Sequence, residues 1–519
     1  MLARVATFAI DGLDPRPVSV EADIRLGLPA LTVVGLADRA VRESRERVRA
    51  AVLNSGFAFP QKRITVNLAP ASLRKVGPGF DLAIAAAILA ASDQIDGERL
   101  ARWAIFGELS LGGGLRPCRG ALTVAEGTRR AGLAGLILPA ERAAEAALVE
   151  EVAIAGVTGL RDVAEVVARE PAAVDAGPRP AAPRARAEAP GPDLSEVRGH
   201  LAPIRALEIA AAGGHNLLME GPPGTGKTML ARRLPSILPP LGRAEALEVT
   251  RIHSVAGLHT GAGLVGRRPF RAPHHTISAS GLAGGGAWPM PGEVTLAHRG
   301  VLFLDELSEF PRSALESLRQ PLEDGRVSVV RAQHAVVFPS RFMLVAATNP
   351  CPCGFAGAEA AGGRGRRARP CECTDADRRR HRRRLSGPLL DRIDLLVGVQ
   401  RPSAAELEAP PVAASAAVRA RVVAARERQA HRLGGSTAAC NGDMDAATAA
   451  VTGGLTAAAR EALLDAYRRG ELSARGHHRA LRVARTVADL DGADRVGREH
   501  VLEILSLRQH APQVTEAAA

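Results

Sequence analysis

Eight consecutive residues carry the clearest chemistry in the chain. They are Gly221, Pro222, Pro223, Gly224, Thr225, Gly226, Lys227 and Thr228, spaced as GxxxxGK[ST]. Glycines at this spacing let successive backbone N–H groups point at phosphate oxygens. A strand-like NLLME precedes the loop and a helix-like MLARRLPSIL follows, which is the context a P-loop needs. A helix start adds partial positive charge there. Lys227 is expected to reach the β- and γ-phosphates and Thr228 to hold Mg²⁺. Val301-Leu-Phe-Leu-Asp-Glu306 is an apolar run ending in two acids. Asp305 is expected to hold Mg²⁺ through its shell, and Glu306 to polarise the attacking water. A buried strand with solvated acids at its tip is the plainer alternative. It is weak beside so complete a loop. ATP and Mg²⁺ are therefore the expected cofactors.

Three further residues fit around a nucleotide. Phe342–Ala347 leads to Thr348 and Asn349, whose amide is placed to sense a γ-phosphate; alone it would read as a cap. Arg392, in SGPLLDRID, has the form of an arginine finger entering a neighbouring subunit's site, unless it is a surface arginine in an ion pair. Arg475 begins a basic helix and is expected to reach the γ-phosphate in cis.

Holding these groups requires alternating strands and helices. Asn216–Met219, Val301–Leu304 and Phe342–Ala347 read as buried strands of a parallel sheet. From Ala404 the chain is rich in Ala, Arg and Leu at helical spacing, a helical lid with a Gly-containing break at Leu433–Gly442. Residues 171–192 form a Pro/Ala linker without hydrophobic period. Before it, Ile64, Val66 and Leu68 alternate as in a strand. Asp81–Ala91 is a helix-like apolar run, and Val41, Val48 and Val52 share one face of a helix beginning near Asp38. The expected organisation is an α/β domain over 1–170, the linker at 171–192, a P-loop core over 193–402 and the helical lid over 403–519.

With 519 residues and 46% apolar content, sizeable cores can form, although aromatics supply only 3%. No apolar run approaches the ~18 residues of a membrane span. The start, MLARVATFAIDGLD, is a poor signal peptide, so a cytoplasmic protein is expected. The +12 formal charge suits a polyanion such as nucleic acid, and arginine-rich usage from a GC-rich genome produces the same excess.

Cys351, Cys353, Cys371 and Cys373 form two CxC pairs in one short region. A disulfide framework would be more dispersed. Four thiolates suit tetrahedral Zn²⁺, although CxC is tighter than the usual spacing; free thiols or a redox pair are the competing readings.

The P-loop, acidic pair, sensor and finger, in this order, resemble an AAA+ ATPase. PGEVTLAHRGVLFLDEL and GRVSVVRAQHAVVFPSRFMLVAATNP resemble the branch containing Mg-chelatase I subunits and MCM helicases. RPFRAPHHTISASGLAGGG, NPCPCG and SGPLLDRIDLLVGV make the whole chain similar to the Mg-chelatase-like ComM/YifB family. That resemblance implies an ATP-hydrolysing homo-hexamer, a DNA helicase promoting branch migration during natural transformation. Its partner is forked, branched or single-stranded DNA, with no membrane. The name implies no chelatase activity. The first domain resembles the Lon-protease fold. Lys75-Val-Gly-Pro-Gly-Phe-Asp81 matches KDGPSAG with Gly79 where the nucleophilic serine stands, and Gly113-Gly-Leu-Arg116 matches GGLK with arginine for lysine. Glycine offers no hydroxyl and arginine does not shed its proton, so the dyad is expected to be lost. Ser72 and Ser110 are the remaining substitutes on paper.

The hairpin Arg326–Val337 has its tip at Arg331-Ala-Gln-His334. The resemblance points this hairpin into a central pore, with Arg331 and His334 on the DNA backbone; an ordinary solvated tip is the alternative. His274 and His275 are adjacent, a poor chelating geometry, so a structural or DNA-facing role is expected. Arg378–Arg384, arginine apart from His381, reads equally as a solvated face, a subunit contact or a DNA track. Three other functions compete. A chelatase motor lacks an integrin-like metal site here, a protease lacks its dyad, and a protein-remodelling ATPase would respond to unfolded protein.

Overall fold

The computed structural model describes residues 1–35, 39–169, 171, 191–259, 263–286, 289–331, 334–356, 370–385, 387–436 and 438–509. The chain divides into two compact units. One is Met1–Ala185 with Arg243–Gly266; the other is Arg186–Gly242 with Arg267–Ala519.

Strand alternation organises the first unit. Ile64, Val66 and Leu68 are fully buried on the strand Arg63–Ala69, with their polar neighbours turned to the other face. That strand lies between Ala30–Val34 and Asp14–Arg25. The seven-stranded sheet continues through Leu2–Asp11, Trp103–Ile105, Gly135–Pro139 and Ala153–Val157. It is mixed, because Asp14–Arg25 runs antiparallel to both neighbours while the pairings beyond Leu2–Asp11 are parallel. After Asp81 the helix Asp81–Ala91 is apolar on every side, and it is buried along its whole length. Val41, Val48 and Val52 face this core from the helix Arg39–Asn54. The helix Arg243–Ala256, which follows the P-loop region in the chain, also belongs to this unit. Its Arg251 pairs with Glu126 at 3.1 Å, and its Ser254 donates to buried Glu145. The second unit is thus not one unbroken stretch of chain.

The second unit is built on a five-stranded parallel sheet. The order is Phe270–Arg271, Val301–Leu304, Met343–Thr348, Leu217–Glu220 and Leu395–Gly398. Its inner strands are continuously apolar, as strands covered on both faces must be. The helix Leu201–Gly213 packs against Ser415–Arg432 and Ala474–Leu490, and Arg498–Gln509 packs on the last of these. These helices share one apolar core with the sheet. Buried Asp489 receives Arg432 through two bonds of 2.7 Å and Asn441 at 2.8 Å, which satisfies a carboxylate that would be costly alone. Among the described residues, no helix is long and apolar enough to cross a membrane.

Candidate nucleotide and metal site

The strand Leu217–Glu220 is the pivot of the site. It lies between Met343–Thr348 and Leu395–Gly398, with Glu220 level with Thr348 and Gly398. Three chain segments therefore leave the sheet at one carboxyl edge, the usual place for a ligand in a parallel α/β sheet. Gly221 leaves first, and a Cβ there would stand 2.1 Å from the Val399 carbonyl oxygen. Gly224 and Gly226 adopt φ of 73° and 92°, the left-handed region that side chains avoid. Gly226 then caps the helix Lys227–Ala231.

The sequence-predicted residues of this loop meet each other. Buried Lys227 donates from Nζ to the carbonyls of Gly221 (2.6 Å) and Pro222 (2.9 Å) and to Asn349 Oδ1 (3.1 Å). Burial draws its pKa down, while Asp305, Glu220 and Glu306 work in the opposite sense. Thr228 Oγ1 donates to Asp305 Oδ2 at 2.6 Å. A hydroxyl and a carboxylate this close are donors a hard cation accepts, so the pair fits Mg²⁺. Asn349 ends the strand Met343–Thr348, and its carbonyl meets Nε2 of buried His381 at 2.9 Å.

Glu306 follows Asp305 in a left-handed conformation, φ 53°, which is uncommon outside glycine and marks a held position. Its N–H donates to Asp305 Oδ1 at 3.0 Å. Its side chain is more than half exposed and lies 3.5 Å from His275 Nδ1. His275 stacks beside His274, with ring centroids 4.1 Å apart, and meets Phe310 edge-on. Sequence reasoning gave His275 no part in the acid's surroundings. The histidine pair was visible, but nothing in the chain order signalled that an inserted stretch returns to Glu306.

Glu220 was also missed. It is buried at the strand end, and among the described residues its Oε2 has no hydrogen-bond partner. Burial pushes its carboxyl up to about 8, against the pull of Arg382 and Lys227. An acid closing an otherwise apolar strand was the available signal.

Arg392 and Arg475 come together elsewhere. Arg392 forms an ion pair with Glu323, and its carbonyl accepts from Asn216 Nδ2 at 2.9 Å. Asn216 also accepts from Leu344 N–H, so one amide ties the segment bearing Arg392 to the strand Met343–Thr348. Exposed Arg475 pairs with Asp391 at 3.1 Å. Burial, then the charges of Arg319 and Arg475, draw the Arg392 pKa down. Arg479 of the same helix donates to the carbonyls of Leu390 and Ile393, so the lid helix grips the segment bearing Arg392.

The hairpin forms as Arg326–Arg331 against His334–Pro339, with Arg331 opposite His334. The side chains of Arg331 and His334 lie outside the described residues. The four cysteines converge, with all Sγ atoms within 4.8 Å of one another and none in a disulfide. Burial opposes ionisation of Cys353, yet the N–H groups of Phe355 and Glu372 and two neighbouring thiols bring its pKa down to about 6.

In the first unit, a Cβ at Gly79 would lie 2.6 Å from the Phe106 ring. Lys75 is fully buried and donates to the Pro70 carbonyl, while exposed Arg116 lies 3.5 Å from Glu108.

The family pattern described as "Magnesium chelatase, subunit ChlI" matches residues 193–407. Its C-terminal counterpart matches 413–508, and "Subunit ChlI of Mg-chelatase" matches 20–142. An uncharacterised protein of Mycobacterium tuberculosis is 43% identical over 516 residues, covering 98% of this chain and 99% of its own. The uncharacterised protein YifB of Escherichia coli is 41% identical over 510 residues, covering 98% and 97%. The competence protein ComM of Haemophilus influenzae is 40% identical over 526 residues, again covering 98% and 97%.

Proposed function

The chain belongs to the Mg-chelatase-like ComM/YifB family, and from that premise we propose that it is one subunit of a homo-hexameric, ATP-driven DNA motor. The motor is a helicase that promotes branch migration of recombination intermediates in the cytoplasm during natural transformation. The link to competence comes from the name of the Haemophilus relative.

The chemical step is ATP hydrolysis. Lys227 holds the β- and γ-phosphates once they displace its present carbonyl partners. Thr228 and Asp305 hold Mg²⁺, which neutralises phosphate charge when bound. Glu306 orients a water and takes its proton as the water oxygen bonds to the γ-phosphorus. The bridging oxygen then leaves on ADP. Asn349, already bonded to Lys227, senses whether the γ-phosphate is present. Arg392 completes a neighbour's site in the ring. Arg475, which pairs with Asp391 beside the Arg392 segment, reaches the γ-phosphate in cis. Cys351, Cys353, Cys371 and Cys373 would hold a structural Zn²⁺. The first unit is a Lon-like fold without its dyad, a reading supported by the Phe106 ring that fills the space a residue-79 side chain would need.

One observation carries the motor reading. The hairpin Arg326–Pro339 runs almost directly into the strand Met343–Thr348, which ends at Asn349 on Lys227. A change at the phosphate has a short covalent path to Arg331 and His334, the residues proposed to touch DNA. Junction movement exchanges base pairs of nearly equal energy, so ATP supplies direction.

The test measures ATPase stimulation and strand exchange on defined forks and three-way junctions. Fork-stimulated turnover and junction movement that Glu306→Gln abolishes are expected. Stimulation only by a chelatase partner would move the chain to metal insertion, and stimulation only by unfolded protein would move it to protein remodelling.

A further inference from the structure

The cysteine cluster stands against the ATP site. Its sulfurs are 3.3 Å apart for Cys351 and Cys353, 3.7 Å for Cys351 and Cys371, and 3.5 Å for Cys353 and Cys371. Four sulfurs at ~2.3 Å from a tetrahedral zinc would be about 3.8 Å apart. Three of the thiols are thus already spaced near the edge lengths of that tetrahedron, and the Cys373 sulfur lies within 4.8 Å of each of them. Backbone N–H groups point at them, among them Cys353 to Cys373 Sγ at 3.4 Å and Ala356 to Cys351 Sγ at 3.3 Å. Such bonds fix ligand orientation and support thiolate charge. The Arg378 guanidinium is near enough for its charge to act on Cys371, which brings a cation to what would be a doubly negative centre.

Three connections lead from this cluster to the nucleotide. Cys351 follows Asn349 by two residues, so fixing the thiolate fixes the end of the sensor strand. Gly354, whose N–H donates to the Cys351 carbonyl at 2.9 Å, lies against the P-loop with φ 87°; a Cβ there would be 2.6 Å from Pro223 Cδ. Thr374, directly after Cys373, caps the helix Asp375–Arg384, whose His381 meets the Asn349 carbonyl. The sulfur cluster therefore joins the sensor, the wall of the P-loop and the arginine helix.

We propose that the four thiolates bind one Zn²⁺ and that the filled site is a clamp on ATP binding, holding Asn349 and Pro223 in place for the nucleotide. The inference rests on the zinc and ATP assignments above and is independent of the DNA assignment. Binding releases the thiol protons to solvent, and the chelate replaces four weakly coupled thiols with one rigid centre.

The first measurement is metal content of the full chain purified without chelators. About one zinc per chain is expected. Less than half an equivalent, with no uptake of added zinc, overturns the site. Cobalt in place of zinc should give the intense visible bands of a tetrahedral thiolate complex, and a weak octahedral spectrum also overturns it. The second measurement is equilibrium binding of a fluorescent ATP analogue in the absence of DNA. Stripping the metal with a thiol-displacing reagent and chelator should weaken binding roughly tenfold, and zinc alone should restore it. Circular dichroism before and after checks that the fold survives. Unchanged affinity in metal-free, folded protein would overturn the clamp while leaving the metal site standing. Cys371→Ser risks misfolding, so Gly354→Ala provides a second variant. It should keep its zinc and bind the analogue several-fold more weakly, because the added methyl meets Pro223. Full affinity in that variant would remove the contact through which the clamp acts.

Discussion

Each unit buries one lysine amine, and the two amines differ in their surroundings. In the first unit, Lys75 is fully buried and donates to the Pro70 carbonyl. In the second, Lys227 is nearly as buried and donates to two carbonyls and the Asn349 amide. Burial draws down the pKa of both. By burial and titration alone they would be equal candidates for a site. The difference lies in what stands beside them. Around Lys227, the Thr228–Asp305 pair offers cation ligands and glycines leave backbone room for phosphate. Near Lys75 in sequence, Gly79 carries no nucleophile, and the Phe106 ring fills the space one would occupy. A perturbed lysine marks a functional site only when its neighbours complete the chemistry.

Exchanging the lysines for neutral side chains is the harshest test of this contrast. Lys227→Ala removes the cation proposed to hold the phosphates and should lower ATP turnover by roughly a thousandfold or more. Lys75→Met keeps the volume and should leave turnover per folded molecule within about twofold, while altering thermal stability. A steady-state phosphate-release assay on both variants decides. A large loss with Lys75→Met would mean that the two lysines are not functionally distinct.

A smaller effect separates binding from chemistry within the second unit. Glu306→Gln keeps the shape but removes the proposed base, so turnover should fall by about 10² to 10³. ATP affinity should change little, since Lys227, Thr228 and Asp305 are untouched. Parallel measurement of analogue binding and single-turnover hydrolysis resolves the two. Equal losses in both would assign Glu306 to binding.

The contrast also explains what could be read from the chain. Gly221–Thr228, Asp305 and Asn349 were legible because strand-then-loop order fixes their position at one sheet edge. The strands over 217–220, 301–304 and 343–348 were legible for a related reason, as doubly covered strands are continuous apolar runs. The helix Asp81–Ala91 was readable through the unbroken apolar run that follows Asp81. Other features depend on returns in space that carry no period. Phe270–Arg271 becomes the edge strand beside Val301–Leu302, so the following His275 reaches Glu306. Arg243–Gly266 leaves the P-loop region to join the first unit. The sulfur cluster was suggested by spacing, but its contact with Pro223 depends on the left-handed turn at Gly354.

His275 gives a more moderate prediction. It faces the carboxylate of Glu306 and packs on Phe310. His275→Ala frees the acid, so turnover should change several-fold with little change in ATP affinity. His275→Gln, which keeps a hydrogen-bonding group beside the acid, should restore much of the rate. Turnover unchanged in His275→Ala would mean that the contact has no part in positioning Glu306.

The smallest effect concerns the acid beneath the loop. Glu220 holds its proton up to about 8 in the folded protein, because burial disfavours the carboxylate. An unfolded glutamate releases it near 4.3. Between these values the folded state binds more protons than the unfolded state, so the contribution of Glu220 to stability falls as pH rises and levels off above about 8. Glu220→Gln is neutral throughout and lacks this slope. Compared with the native chain, its melting temperature should rise by a few degrees between pH 5.5 and pH 8 in the absence of nucleotide. Lys227 and Arg382 favour the charged form and therefore moderate the shift. A constant difference in melting temperature across that range would mean that Glu220 is already ionised in the fold. The second unit's lysine would then sit beside a full counter-charge, which would sharpen its difference from Lys75.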